Sequence, residues 1–187
     1  MRRTLLLSGG LTSVCAVHCL ALVAIDGVEI GLQRALRVSP RYTVAFLVVV
    51  MIAGPMQRLR RDPLANRLLA NRRQLGLAVA GAHTVHLFVI LASFALREAF
   101  RAAVDVVEMI PGMTAYAFLY ALAFTSNDAS VRRLGKRAWK VLHRAGVWVL
   151  WFSFAINYGP KSFEQPEYLA AVIPLALVPV LTFFSRR

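Results

Sequence analysis

Apolar residues gather in six runs, at about 5–25, 42–57, 75–96, 109–125, 143–159 and 168–184, and charged residues fill the short stretches between them. A helix rises about 1.5 Å per residue, so a run of ~20 apolar residues covers the ~30 Å hydrocarbon core of a bilayer. The pattern predicts an all-α, polytopic membrane protein, a bundle of six transmembrane helices forming one membrane domain over residues 1–187. The first run follows Arg2 and Arg3, the arrangement of a signal peptide. No small-residue cleavage site precedes the next charge, however, and His18 is foreign to such a segment, so the run is read as a retained helix. The fourth opens at Pro111-Gly112, where proline cannot extend a helix from its preceding turn without a kink, which moves the expected start toward Val104.

Charge then orients the helices. The chain is 58% hydrophobic with a mean hydropathy of +0.60, against about 45–50% apolar residues in a soluble domain. Its net charge of +13 would suggest nucleic acid in a soluble chain. Here the cations lie between apolar runs, which is a topology signal and a contact for anionic lipids, so nucleic-acid binding is excluded. Arg58, Arg60, Arg61, Arg67, Arg72 and Arg73 fill the second loop; Arg132, Arg133, Lys136, Arg137, Lys140 and Arg144 fill the fourth. Arg2, Arg3, Arg186 and Arg187 mark the ends. The acids Asp26, Glu29, Glu98, Asp105, Glu108, Glu164 and Glu167 fall in the other loops. Six spans with both termini cytoplasmic, in a bacterial inner membrane, satisfy every loop at once. No loop holds the ~30 residues of a βαβ unit, so nucleotide chemistry must come from a partner.

Four histidines and two cysteines are the candidate chemistry. His83 and His86 stand three apart within the third run and lean to one helix face, where burial of an ionisable group asks for a reason. They meet a cofactor there, or they pack against hydroxyls and carbonyls of a neighbouring helix. His86 lies ~20 Å from the cytoplasmic arginines along the helix, whereas His143 stands beside them, so one metal ion does not take both. His18 has a depth similar to His83 and His86, and the three imidazoles converge if the first and third helices are neighbours. Cys15 and Cys19, one turn apart on the side of His18, are held too far apart for a disulfide. With His18, His83 and His86 they compose a possible midplane Zn or Cu(I) cluster, the alternative being that the cysteines are apolar filler. Trp148, Trp151 and Phe152 are read as helix packing or lipid contact before porphyrin stacking. Thr125, Ser126, Asn127 and Asp128 read as a helix end and an N-cap for a short amphipathic helix over 129–140. No Ser-His-Asp, paired-carboxylate or phosphate-loop arrangement is present, which sets hydrolytic and kinase chemistry aside.

Thr125-Ser126-Asn127-Asp128, Arg132-Arg133-Leu134-Gly135-Lys136, Trp139 and Leu142-His143-Arg144 form one block, and Arg72-Arg73 with Leu75-Gly76-Leu77 lead into the histidine pair. Together they resemble the ferric reductase-like transmembrane domain, nearest the haem-binding membrane subunits of bacterial sulfoxide reductases, over roughly residues 42–184. The resemblance implies a six-helix bundle that carries electrons across the membrane on b-type haem, with axial histidines on the third and fifth helices. His86 falls at the ligand position of the third helix, and His143 at the inner position of the fifth. The second position of the fifth helix holds Ile156, with Asn157 beside it, and the inner position of the third falls near Arg72 or Arg73. Two bis-histidine sites cannot be assembled from these positions. One haem per chain is the maximum expected, ligated by His86, with His83, His143 and His18 the other candidates and His18 the second ligand by depth. The function expected is a membrane electron-transfer subunit working with other membrane or redox protein subunits, not an enzyme on its own. A haem-free accessory subunit on the same fold and the midplane metal site are the alternatives.

Overall fold

The computed structural model describes residues 2–185 of the chain. The elements run α1 (Arg2–Arg60), α2 (Pro63–Ala70), α3 (Arg72–Leu96), α4 (Glu98–Ala103), α5 (Val106–Phe124), α6 (Asp128–Leu134), α7 (Lys136–Tyr158), α8 (Lys161–Glu164), a 3-10 turn (Pro166–Tyr168) and α9 (Leu169–Phe184). The described residues are helical with no strand, the all-α class of an integral membrane protein. Each of the six apolar runs lies mostly within a helix.

α1 is continuous only in name. At Gly27 the backbone takes φ 76° and ψ 173°, a conformation essentially confined to glycine, and the chain doubles back. The two arms lie side by side: a Cβ on Gly31 would run into the backbone of Leu22 and Val23. Asp26 and Arg34 form an ion pair of 2.7 Å across the turn. The first two apolar runs are therefore a helical hairpin. α3 packs along both arms, with Gly81 set against the Thr12 side chain where a Cβ would clash, as small residues permit where lipid gives no hydrophobic drive between helices. α1 and α3 bury Cys15, Cys19, Leu32, Ala35, Ala82 and Val89 between them. A larger core around Val44, Leu47, Leu119, Leu150, Phe154, Leu175 and Val178 joins the second arm to α5, α7 and α9.

Local chemistry explains the helix ends. α5 begins at Val106, where the Asp105 carboxylate accepts from Val107 N. It runs through Pro111, so its start lies close to Val104 and not at the Pro-Gly pair. α2 was not foreseen; Asp62 caps it by accepting from Ala65 N, and Pro63 holds its first position, where no amide is needed. The amphipathic helix expected over 129–140 ends at Leu134, because Gly135 turns the backbone to φ 77°, and α7 starts at Lys136. In α9, Pro179 has no amide to offer the Leu175 carbonyl one turn back. Trp151 Nε1 of α7 donates to that oxygen at 2.9 Å, tying the two helices at the break.

By length and apolarity, three described helices can cross a membrane: Leu6–Arg60, Arg72–Leu96 and Pro166–Phe184. Met109–Phe124 with Asp128–Leu134, bent by 103°, makes a fourth if taken as one span. The first of these holds both arms of the hairpin. α7 opens on Lys136, Arg137, Lys140, His143 and Arg144, which keep its amino-terminal turns polar.

Candidate functional site

One turn of the second α1 arm gathers three of the four histidines. Ser39, Tyr42 and Thr43 each present a hydroxyl: Ser39 Oγ lies 2.8 Å from His86 Nδ1, Thr43 Oγ1 3.3 Å from His83 Nδ1, and Tyr42 Oη 2.8 Å from His18 Nδ1. Ser39 and Thr43, one turn apart, face α3; Tyr42 faces the first arm. The two α3 rings sit 5.3 Å apart, centroid to centroid. His83 is buried at 6% exposure, stacked on Tyr116 at 4.4 Å and edge-on to Phe154 at 5.5 Å. Tyr116 Oη also donates to the His83 carbonyl. The pair thus stands between the hairpin on one side and α5 and α7 on the other.

The Ser39 contact fixes a proton. The Ser39 hydroxyl donates to Ala35 O at 2.6 Å, and a hydroxyl has one proton to give. Its oxygen can therefore only accept from His86, so Nδ1 carries the hydrogen and Nε2 keeps its lone pair. Among the described residues Nε2 makes no hydrogen bond. A metal-ligating histidine is held in this way, one nitrogen donating outward while the other is left bare. Among the described residues Thr43 makes no second hydrogen bond, so the His83 tautomer is not fixed in the same sense.

His143 is set the opposite way. Thr125 Oγ1 donates to Ala121 O at 2.6 Å and lies 3.0 Å from His143 Nε2, so the imidazole donates through Nε2 and that nitrogen is spent. The ring stacks on Trp139 at 4.1 Å, and Trp139 Nε1 donates to Thr125 O at 2.9 Å. Asn127 caps α6 by accepting from Ser130 N. The Thr-Ser-Asn-Asp, Trp and His-Arg block is a clamp that closes the turn from α5 through α6 into α7. At the other end of α7 the residue that faces His83 is Phe154; Ile156 is 40% exposed.

The metal cluster proposed from Cys15, Cys19, His18, His83 and His86 is not assembled. No group of three or more His, Cys, Asp or Glu converges among the described residues. Cys15 and Cys19 are free thiols packed among Leu32, Ala35, Ala82 and Val89. The first and third helices are neighbours as that proposal required, but His18 is exposed and bonded to Tyr42, around the arm from Ser39 and Thr43. Helix angle separates it from the α3 pair although their depth agrees. Sequence reasoning did not single out Ser39, Tyr42, Thr43 or Tyr116. Their signal was faint: hydroxyls at 39, 42 and 43, where Arg34, Arg37 and Arg41 give way to the apolar run of 42–57.

Fold and site define an all-helical integral membrane protein with a histidine pair, His83 buried and His86 half-buried, packed between its helices. The chain belongs to the family described as ferric reductase like transmembrane component, whose profile matches residues 39–154. It is 30% identical over 155 residues to a protein-methionine-sulfoxide reductase heme-binding subunit MsrQ from Herminiimonas arsenicoxydans, an overlap covering 78% of this chain and 69% of the relative. The subunit of the same name from Polaromonas naphthalenivorans is 27% identical over 153 residues, 78% of this chain and 68% of the other. That from Bordetella parapertussis is 30% identical over 155 residues, covering 75% and 70%. No solved structure is significantly similar to this chain. The matched region begins at Ser39 and takes in Thr43, His83, His86, Tyr116, His143 and Phe154.

Proposed function

We propose that this protein is a haem-binding electron-transfer subunit of a membrane redox system, with His86 as an axial ligand to b-type haem. The observation that carries the reading is the bare Nε2 of His86, its partner nitrogen committed to Ser39. The relatives' names as heme-binding subunits agree with it. Haem held at His86 would supply one-electron transfer, with axial ligand, hydrogen bonding and burial as the protein's means of setting the potential. The chain's own part is to hold the ligand ring, exclude water and meet a redox partner. His83, stacked on Tyr116 and edge-on to Phe154, stands 5.3 Å from His86, centroid to centroid. His18, the second ligand expected by depth, faces Tyr42 around the arm from the pair and would need that arm rotated to ligate with His86; at most one haem is bound per chain. His143, with Nε2 given to Thr125, needs its ring turned before it can ligate.

Six spans place both termini in the cytoplasm of a bacterium, with the basic loops facing anionic lipid and a cytoplasmic reductase, and the partner docks on those arginines or on helix faces. A second reading, a haem-free accessory subunit of a larger complex, is favoured by one observation: among the described residues no third imidazole converges on the His83–His86 pair. The absorption spectrum of purified full-length protein separates the two. A sharp reduced α-band of b-type haem supports the first reading, and a featureless spectrum after growth with ample haem leaves the second.

A further inference from the structure

We infer that Ser39 is a positioning residue for the redox site, holding His86 in the tautomer that can ligate; this rests on the reading of His86 as a haem ligand. Ser39 is fully buried, at 0% exposure, on the arm opposite α3. Its hydrogen bonds run in one direction: His86 Nδ1–H donates to Ser39 Oγ at 2.8 Å, and Ser39 Oγ–H donates to Ala35 O at 2.6 Å. Each bond in such a chain polarises the next. With its proton already given to Ala35, Ser39 is an acceptor and nothing else toward the imidazole. Were the serine proton free to turn, the ring could take the other tautomer and lose its lone pair at Nε2. Pro40, the next residue, has no amide and so leaves the Leu36 carbonyl, not that of Ala35, without its helical partner. The Ser39 acceptor is therefore its own i−4 carbonyl, in place whatever the haem does. Donation from Nδ1–H also makes Nε2 more basic, which favours the ferric ion and lowers the haem potential.

Two measurements on the full chain in detergent test this. The first needs no haem: histidine-selective 15N NMR of the haem-free protein reads the tautomer of each imidazole, with Ser39→Ala and Ser39→Cys as comparisons and His86→Gln to assign the signals. Wild type should show His86 as the Nδ1–H form, and both serine variants a mixture. His86 found as Nε2–H in wild type overturns the inference. The second is spectroelectrochemistry of the haem-loaded protein. Both serine variants should shift the midpoint potential upward and weaken haem retention about 10–100-fold. An unchanged potential with unchanged retention in both variants overturns it equally. The reading beneath it fails separately: haem retained in full by His86→Ala removes His86 as ligand, while the tautomer result still decides what Ser39 does.

Discussion

Two imidazoles on neighbouring helices carry their single proton on opposite nitrogens, and in both cases a hydroxyl with a prior commitment decides which. Ser39 leaves His86 with a bare Nε2; Thr125 takes the Nε2–H of His143. The consequence separates them in experiment. His86→Ala should abolish the haem spectrum. His143→Leu should keep it, lowering stability by ~1 kcal/mol for the lost hydrogen bond and the lost stack on Trp139. Reduced-minus-oxidised spectra with thermal melts of the same samples read both effects, and loss of haem in His143→Leu would restore His143 as a ligand. The histidine pair itself was legible from spacing alone, since residues i and i+3 share a helix face whatever surrounds them. Its partners were not, because Ser39 and Thr43 are some 40 residues away and only packing brings them near.

Among the elements, the α1 turn depends on one residue. Gly27→Ala must carry a Cβ at φ 76° and ψ 173°, which costs about 1–3 kcal/mol, so the variant should melt measurably below wild type. Gly9→Ala, on the same arm with nothing within 4 Å of the added atom, should not; equal melting of the two would show that the turn is not a constraint. Trp151→Phe, leaving the Leu175 carbonyl without its donor, should loosen α7 from α9 by ~1 kcal/mol, seen as faster proteolysis of the α8 segment. Each apolar run lies mostly within a helix, while three described helices, or four with the bent pair, are long and apolar enough to cross a membrane; apolar length is read without tertiary information. Ends were harder. α2 sits in a basic stretch with no apolar period to announce it. The break at Gly135 was read through because a glycine in a charged sequence gives no sign of its φ. The convergence expected of His18 with His83 and His86 rested on depth along the helices, and depth says nothing of angle around them.

For the whole molecule, arginine distribution and helix order lead to one expected topology. A cytoplasmic reporter fused after Arg187 should be active, and one fused in the segment Lys161–Glu164 inactive; the reverse pattern would overturn the orientation. Pyridine haemochrome against protein concentration should give no more than one haem per chain, as among the described residues His18 and His143 stand apart from each other and from the α3 pair. The hairpin bears on the order in which the site is made. Synthesis delivers Ser39 and Thr43 before His83 and His86, by ~2–8 s at ordinary elongation rates. Through that interval the Ser39 hydroxyl is already satisfied by Ala35, so this residue exposes no unmet donor to lipid. The later helix then arrives at a finished acceptor and brings the proton with it.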